Sequence, residues 1–173
     1  MNEQYRSLIL LRHAKSAYPD GVVDHDRPLA PRGIREAGLA GDWLRANLPR
    51  IDQVLCSTAV RARETLTRAG VDAPVRHVDR LYGATPATVI DEINAVADDI
   101  TTLLVVGHEP AISAVAVGLS GADGTKSAAA ESISAKFPTS GIALLHVAGR
   151  WNDLEPGGAA LVDFHVPRST TRP

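Results

Sequence analysis

The residues Leu8 to Leu11 form an apolar run that leads directly into the basic residues Arg12, His13 and Lys15. A short apolar run near the start of a chain indicates a buried β-strand. Buried strands seldom end in adjacent basic groups, because removing a charge from water is costly. We therefore expect an anion just beyond the end of this strand. The fold has to place this strand inside and its basic end beside a ligand.

The composition is ordinary for a soluble globular protein, with 173 residues, 45% hydrophobic and 22% charged. This length predicts a single domain over residues 1–173, with a frayed tail from about residue 167. A net charge of -2 argues against a nonspecific nucleic-acid-binding protein. The apolar run that ends at Leu11 is too short for a signal peptide or a membrane span. We therefore expect a cytoplasmic location and no membrane partner.

Short apolar runs alternate with longer amphipathic stretches, which favours an α/β architecture with a mostly parallel central sheet. Strands are predicted at residues 8–11, 51–56, 74–78, 102–106, 142–147 and 159–166, the fifth of them antiparallel. Helices are predicted at residues 31–47, 57–69, 85–96 and 110–119, with Ser57 and Thr58 as candidate caps of the second. Residues 120–138, rich in glycine, alanine and serine, are expected to form a mobile surface segment with room for one helical stretch.

Three glycines, Gly33, Gly38 and Gly41, lie inside the first predicted helix. Each weakens a helix by roughly 1 kcal/mol relative to alanine. We expect close packing of this helix against the sheet to offset that cost.

Two histidines, His13 and His108, each follow a predicted buried strand. In open α/β sheets, ligands bind beyond the carboxyl ends of the strands. If the two strands are parallel neighbours, both imidazole rings reach one crevice. A single histidine more often has a structural role, but two at equivalent strand ends favour a shared site.

Arg61 lies in the first turn of the helix that follows the second strand. A helix N-terminus carries a partial positive charge and prefers acidic side chains, so an arginine at that position needs an explanation. An anion bound at the same helix end would provide one, because free N–H groups and arginine bind anions together. The alternative is that Arg61 and Arg63 belong to a solvated helix face.

Together, Arg12, Arg61, His13, His108 and Lys15 suit a phosphoryl group. Forked guanidinium donors match tetrahedral phosphate oxygens. A neutral imidazole is a capable nucleophile near neutral pH, and its attack on phosphorus would give a covalent phosphohistidine. The surrounding cations would stabilise charge on the equatorial oxygens.

Two other kinds of hydrolytic site find little support in the sequence. The carboxylates between residues 18 and 27 lack a recognisable metal-ligand spacing, so no metal is expected. A Ser/His/Asp hydrolase is disfavoured, because the chain has no Gly-x-Ser-x-Gly elbow.

The motifs around these residues resemble those of the histidine phosphatase superfamily, which includes the phosphoglycerate mutases. The three matching motifs are Arg12-His13 after a strand, Ser57-x-x-x-Arg61-Ala62-x-x-Thr65, and Gly107-His108. Four further segments are similar to the small SixA-type phosphohistidine phosphatases: Arg12 to Ser16, Asp26 to Leu29, Arg32-Gly33 and Phe137 to Ser140. The resemblance covers nearly the whole chain.

The resemblance implies a three-layer α/β/α fold and a metal-independent phosphatase that needs no cofactor. By its pattern His13 is the nucleophile, while Arg12, Arg61 and His108 hold the phosphoryl group, with Lys15 as a rim contact. The implied substrate is a phosphohistidine protein. Two alternatives stay open: a broad small-molecule phosphomonoesterase or mutase of the same superfamily, and a phosphate-binding regulatory module that has lost turnover.

One departure from larger relatives concerns the general acid. They supply it between the second arginine and the second histidine, but the corresponding segment Leu81 to Ala84 contains no acid. Four acids elsewhere are candidates, each with a structural alternative as a loop or cap residue: Asp20, Asp24, Asp26 and Glu109. Imidazole leaves a phosphoramidate more readily than an alkoxide leaves an ester, so less acid help is required. We therefore expect phosphoglycerate and sugar phosphates to be weak substrates.

Overall fold

The computed structural model describes residues 5–168, which form one six-stranded sheet flanked by helices. The strands are β1 (Arg6–Arg12), β2 (Gln53–Ser57), β3 (Val75–Val78), β4 (Thr102–Gly107), β5 (Ile142–Val147) and β6 (Ala159–His165). Their order is β3-β2-β4-β1-β5-β6. The pairs β3–β2, β2–β4 and β4–β1 are parallel, whereas β5 runs antiparallel to both β1 and β6. The predicted, mostly parallel sheet with an antiparallel fifth strand is confirmed.

Five helices cover the two faces of this sheet: α1 (Pro31–Asn47), α2 (Val60–Ala69), α3 (Pro86–Asn94), α4 (Ala111–Leu119) and α5 (Ser127–Ala135). Along β1, Ile9 and Leu11 pack with α1 and α2, while Leu8 and Leu10 pack with the other three helices. Successive side chains of a strand point to opposite faces, so a fully apolar strand is buried twice. The result is the three-layer α/β/α arrangement.

The expectation for residues 120–138 is wrong in one respect, because part of this segment belongs to the core. The segment contains the single helix α5, and the side chains of Ile133 and Phe137 are buried against the face that α3 and α4 also cover. Small residues dominate this helix, so its one large apolar residue gave little periodic signal. Phe137 also brings its carbonyl oxygen to Arg12.

The expected fraying of the tail is wrong at its first two residues. Pro167 is buried, and the guanidinium of Arg168 lies 3.2 Å from the buried carboxylate of Glu36. A buried carboxylate needs a charged partner, which anchors the chain at this point. The remainder of the predicted frayed tail, 169–173, lies outside the described residues.

Ser57 and Thr58 do not cap α2, which begins at Val60 with Ala59 as its N-cap residue and no side-chain cap. Instead, the hydroxyl of Ser57 contacts His108 and that of Thr58 contacts His25. Both hydroxyls therefore form hydrogen bonds with neighbouring imidazole rings, and neither caps α2. Within residues 5–168, none of the helices combines the length and the apolar character that crossing a membrane requires.

Candidate active site

The parallel pairing of β1 with β4 brings His13 and His108 together. Arg12 is in register with Gly107, so the residue after each strand is a histidine, and the backbone N–H of His13 donates to the carbonyl of Gly107 at 3.0 Å. The ring centroids of the two histidines lie 5.1 Å apart. Both residues are almost completely buried, with 7% and 8% of their surface exposed.

The hydrogen bonding of His13 assigns its tautomer. Its Nδ1 lies 2.7 Å from the carbonyl oxygen of Ala14, which can only accept a hydrogen bond. Nδ1 therefore carries the proton, and the neutral ring keeps its lone pair on Nε2. The backbone N–H of Ala14 donates to the buried hydroxyl of Thr65, which in turn donates to the carbonyl of Arg61. The segment that holds His13 is thus tied to the first turn of α2.

His108 is oriented by Ser57. The Nε2 atom of His108 lies 2.7 Å from the Ser57 hydroxyl, which also accepts a hydrogen bond from the backbone N–H of Ala59. A Ser57 hydroxyl that donates to Nε2 leaves the proton of the neutral imidazole on Nδ1. That Nδ1 would then be the donor available to a ligand.

Three buried nitrogen atoms of the predicted site have no hydrogen-bond partner within residues 5–168. They are Nε of Arg12, Nε of Arg61 and Nδ1 of His108. Buried polar atoms are nearly always paired, so three unpaired nitrogens among the predicted site residues fit the binding of a ligand. An anion with several acceptor oxygens would pair all three.

The two arginines are held by different parts of the chain. Arg12 donates from Nη1 to the carbonyl of Phe137 at 2.9 Å. Arg61 is buried in the first turn of α2 and donates from Nη1 to the carbonyl of Asp24, and from Nη2 to its carboxylate at 3.1 Å. Arg61 therefore does not belong to a solvated face, in contrast to the exposed Arg63.

Asp24 places a carboxylate beside the guanidinium of Arg61. Its carboxylate accepts hydrogen bonds from the hydroxyl of Tyr82 at 2.6 Å, from Arg61 and from Arg27. The bond from Tyr82, together with the contacts to the two guanidinium groups, lowers the pKa of Asp24 to about 2. Asp24 is therefore ionised near neutral pH and is a poor general acid there.

Burial sets the charge of the two histidines. Burial, aided by the neighbouring His108 and by the positive charges of Arg61 and Arg12, lowers the pKa of His13 to about 3. Burial, followed by the charge of Arg61, lowers the pKa of His108 to about 4. Desolvation disfavours the charged imidazolium form. Both rings are therefore neutral at pH 7 in the ligand-free protein.

A cavity of about 350 Å³ opens beside these groups and is lined by Asp24, Arg61, Tyr82, His108 and Glu109, among others. The Glu109 carboxylate accepts two hydrogen bonds from Ser113, one from its backbone N–H and one from its hydroxyl. A larger cavity, of about 450 Å³, lies near the opposite ends of the strands and contains none of the predicted site residues.

Comparison with known proteins identifies the family. Residues 8–83 match the model of the histidine phosphatase superfamily (branch 1). The solved structure of a candidate phosphohistidine phosphatase, SixA, from Nakamurella multipartitia is 41% identical, with a TM-score of 0.87, and the alignment covers 95% of this chain and 98% of that one. The chain belongs to the histidine phosphatase superfamily. This membership supports a phosphatase activity.

Two further relatives are similar to this histidine phosphatase, and only one of them carries a name that states an activity. An uncharacterized protein from Mycobacterium tuberculosis is 72% identical over 158 residues, which cover 91% of this chain and 100% of that protein. The phosphohistidine phosphatase SixA from Escherichia coli is 29% identical over 112 residues, which cover 61% of this chain and 68% of that protein.

The remaining predicted residues lie at the edge of the site or outside it. The Lys15 side chain is exposed and forms no ion pair within residues 5–168. Asp20 and Asp26 are exposed as well. Over the same residues, no three histidine, cysteine, aspartate or glutamate side chains are grouped closely enough to hold a metal ion. The sequence interpretation missed Tyr82, whose neighbours along the chain give no signal of its contact with Asp24.

Proposed function

We propose that this histidine phosphatase removes the phosphoryl group from phosphohistidine in a protein substrate, without a metal ion, through a covalent intermediate on His13. The observation that carries the proposal is the hydrogen bond between Nδ1 of His13 and the carbonyl of Ala14. It leaves the lone pair on Nε2 of a ring that burial keeps neutral. A neutral imidazole with a fixed tautomer is prepared for nucleophilic attack.

The three unpaired donors around His13 suit the oxygens of the transferred phosphoryl group. Nε of Arg12, Nε of Arg61 and Nδ1 of His108 each donate to an oxygen as negative charge develops there. Nε2 of His13 attacks phosphorus and displaces the leaving group, and water then hydrolyses the phosphohistidine. Lys15 contacts the substrate at the rim.

The preference for phosphohistidine follows from the state of the nearby acids. Asp24 is held ionised by Tyr82 and Arg61, and both oxygens of Glu109 accept hydrogen bonds from Ser113. Neither carboxyl group is arranged to donate a proton to an alkoxide. A substrate with an easier leaving group fits this site. The names of the SixA relatives from Escherichia coli and Nakamurella multipartitia agree with such a substrate.

The test measures phosphate release from a phosphohistidine protein, an aryl phosphate and 3-phosphoglycerate in the presence of a chelator. We expect kcat/KM for the phosphohistidine protein to exceed that for 3-phosphoglycerate by at least about 100-fold, since general acid help contributes roughly that much. His13→Ala should abolish turnover, whereas His77→Ala, which removes an exposed histidine of β3, should not change it. An acid-labile phosphoenzyme should form on the wild type and not on His13→Ala.

Three outcomes would contradict this proposal. Comparable kcat/KM on the phosphohistidine protein and on 3-phosphoglycerate would indicate a broad phosphomonoesterase. Phosphate binding without turnover on any substrate would indicate a regulatory module. Loss of activity in the chelator, restored by a divalent cation, would exclude metal independence.

A further inference from the structure

The mouth of the cavity differs in charge from its floor. Its floor contains His108, which is 8% exposed and whose ring centroid lies 5.1 Å from that of the equally buried His13. Towards the mouth, Tyr82 is 36% exposed and the Asp24 side chain is 55% exposed. Glu109 lines the same cavity and is partly exposed. We refer to Asp24, Tyr82 and Glu109 as the outer subsite.

The outer subsite places negative charge beside a positively charged phosphoryl site. The hydrogen bonds that lower the pKa of Asp24 keep that carboxylate ionised. Burial lowers the pKa of Arg12, and the nearby negative charge of Glu109 opposes that shift, so Glu109 acts on a phosphoryl-binding arginine. A leaving group with its own negative charge would be repelled here, whereas a cationic one would be attracted.

We propose that the outer subsite selects a planar, positively charged leaving group and favours the protonated imidazole ring of phosphohistidine. This inference rests on the proposed function and extends it to the choice of substrate. The carboxylates of Asp24 and Glu109 attract the imidazolium charge, and the ring of Tyr82 offers an aromatic wall to a planar cation.

The protonated ring explains how the reaction proceeds without a general acid. Nε2 of His13 forms a bond to phosphorus while the P–N bond to the substrate ring breaks. The electron pair of the P–N bond stays on the departing nitrogen. Because the other ring nitrogen already carries a proton, the leaving group departs as neutral imidazole, and the enzyme transfers no proton to it. The outer subsite thereby replaces an acid with two carboxylates that hold the proton on the substrate.

The test uses two aryl phosphates that differ in the charge of the leaving group, 4-(trimethylammonio)phenyl phosphate and 4-carboxyphenyl phosphate. Their intrinsic reactivity is the same for every variant, so a change in their kcat/KM ratio reports on the protein. Glu109→Gln should lower the cation-to-anion ratio about three- to tenfold, as expected for one partly exposed charge near the ligand. The amide can still accept from the Ser113 N–H, and the melting temperature checks that the fold is kept.

Glu155→Gln is the matched control, because Glu155 is exposed in the turn between β5 and β6, at the opposite ends of the strands from the site. Its ratio should equal that of the wild type. Asp24→Asn is a second test, and it should lower the ratio even if the altered contact with Arg61 changes kcat/KM for both esters. The proposal would be overturned if Glu109→Gln and Asp24→Asn both kept the cation-to-anion ratio of kcat/KM that is measured for Glu155→Gln.

Binding separates this inference from the proposed function. The Kd values of the two esters are measured by calorimetry on His13→Ala, with and without Glu109→Gln. A charge preference that Glu109→Gln reduces supports the outer subsite even if the wild type turns over no substrate, which would contradict only the proposed function. Turnover of phosphohistidine without any charge preference in kcat/KM or Kd would contradict only the outer subsite.

Discussion

The tautomer and the charge of His13 are controlled by different neighbours. The carbonyl of Ala14 places the ring proton on Nδ1, and Thr65 holds Ala14 through its backbone N–H. The charge is controlled by burial and by the cations Arg12 and Arg61, which lower the pKa of the ring. An anion in the site would oppose those cations. The ligand-free protein therefore holds His13 as a neutral ring with its lone pair on Nε2, the form that the proposed nucleophilic role requires.

A direct consequence concerns the titration of the two buried histidines. An unperturbed histidine titrates near pH 6.5. We expect the ring nitrogens of His13 and His108 to show neutral-imidazole shifts in ¹⁵N NMR spectra down to about pH 5, with the proton of His13 on Nδ1. Because the rings lie 5.1 Å apart, their titrations are coupled, and His108→Asn isolates that of His13. A His13 midpoint between pH 6 and 7 would show that burial does not control its charge.

The close approach of α1 to α2 depends on one glycine of α1. A Cβ atom at Gly41 would overlap the carbonyl oxygen of Ala69 at the end of α2, whereas Gly38 has no neighbour within 4 Å of the same position. Gly33 likewise approaches the Lys15 carbonyl. The compensation expected from packing against the sheet therefore comes from a loop and a neighbouring helix.

These glycines give a matched pair of substitutions. Gly41→Ala should lower the free energy of unfolding by roughly 1–3 kcal/mol, because the two helices must separate. Gly38→Ala should raise it by roughly 0.5–1 kcal/mol, because alanine favours the helix and meets no obstacle. Urea unfolding followed by circular dichroism measures both. If both substitutions changed the free energy of unfolding equally, helix propensity alone, and not the contact between α1 and α2, would determine the stability at these positions.

Elements with strong local patterns were predictable, and those stabilised by distant contacts were not. The apolar runs of β1 and β4 indicate buried strands by themselves, and each precedes a site histidine. By contrast, Tyr82 and Asp24 are 58 positions apart, and neither sequence neighbourhood indicates that they meet. The ion pair that anchors Arg168 likewise joins it to Glu36, a residue far away in the chain. Local sequence therefore predicted that His13 and His108 lie together, but not that Tyr82 and Asp24 do.

For the whole molecule, the buried neutral histidines link stability to pH. Folding lowers the pKa of His13 to about 3 and that of His108 to about 4, so the folded protein binds fewer protons than the unfolded chain below about pH 6.5. The full contribution of the two neutral histidines to the free energy of unfolding is present above about pH 6.5. It is lost as the pH falls towards their pKa values in the folded protein. Asp24, with its pKa lowered to about 2, acts in the same direction only below about pH 4.

Between pH 7 and pH 5 we therefore expect the free energy of unfolding to fall by on the order of 2 kcal/mol for each of the two histidines. Urea unfolding at pH 5, 6 and 7 measures this slope. His13→Ala and His108→Ala should each flatten it by about that amount, even though each also changes the stability at pH 7. His77→Ala, on an exposed edge of the sheet, should keep the wild-type slope. If all four proteins lost the same free energy on acidification, the two site histidines would not be the groups that resist protonation in the folded state.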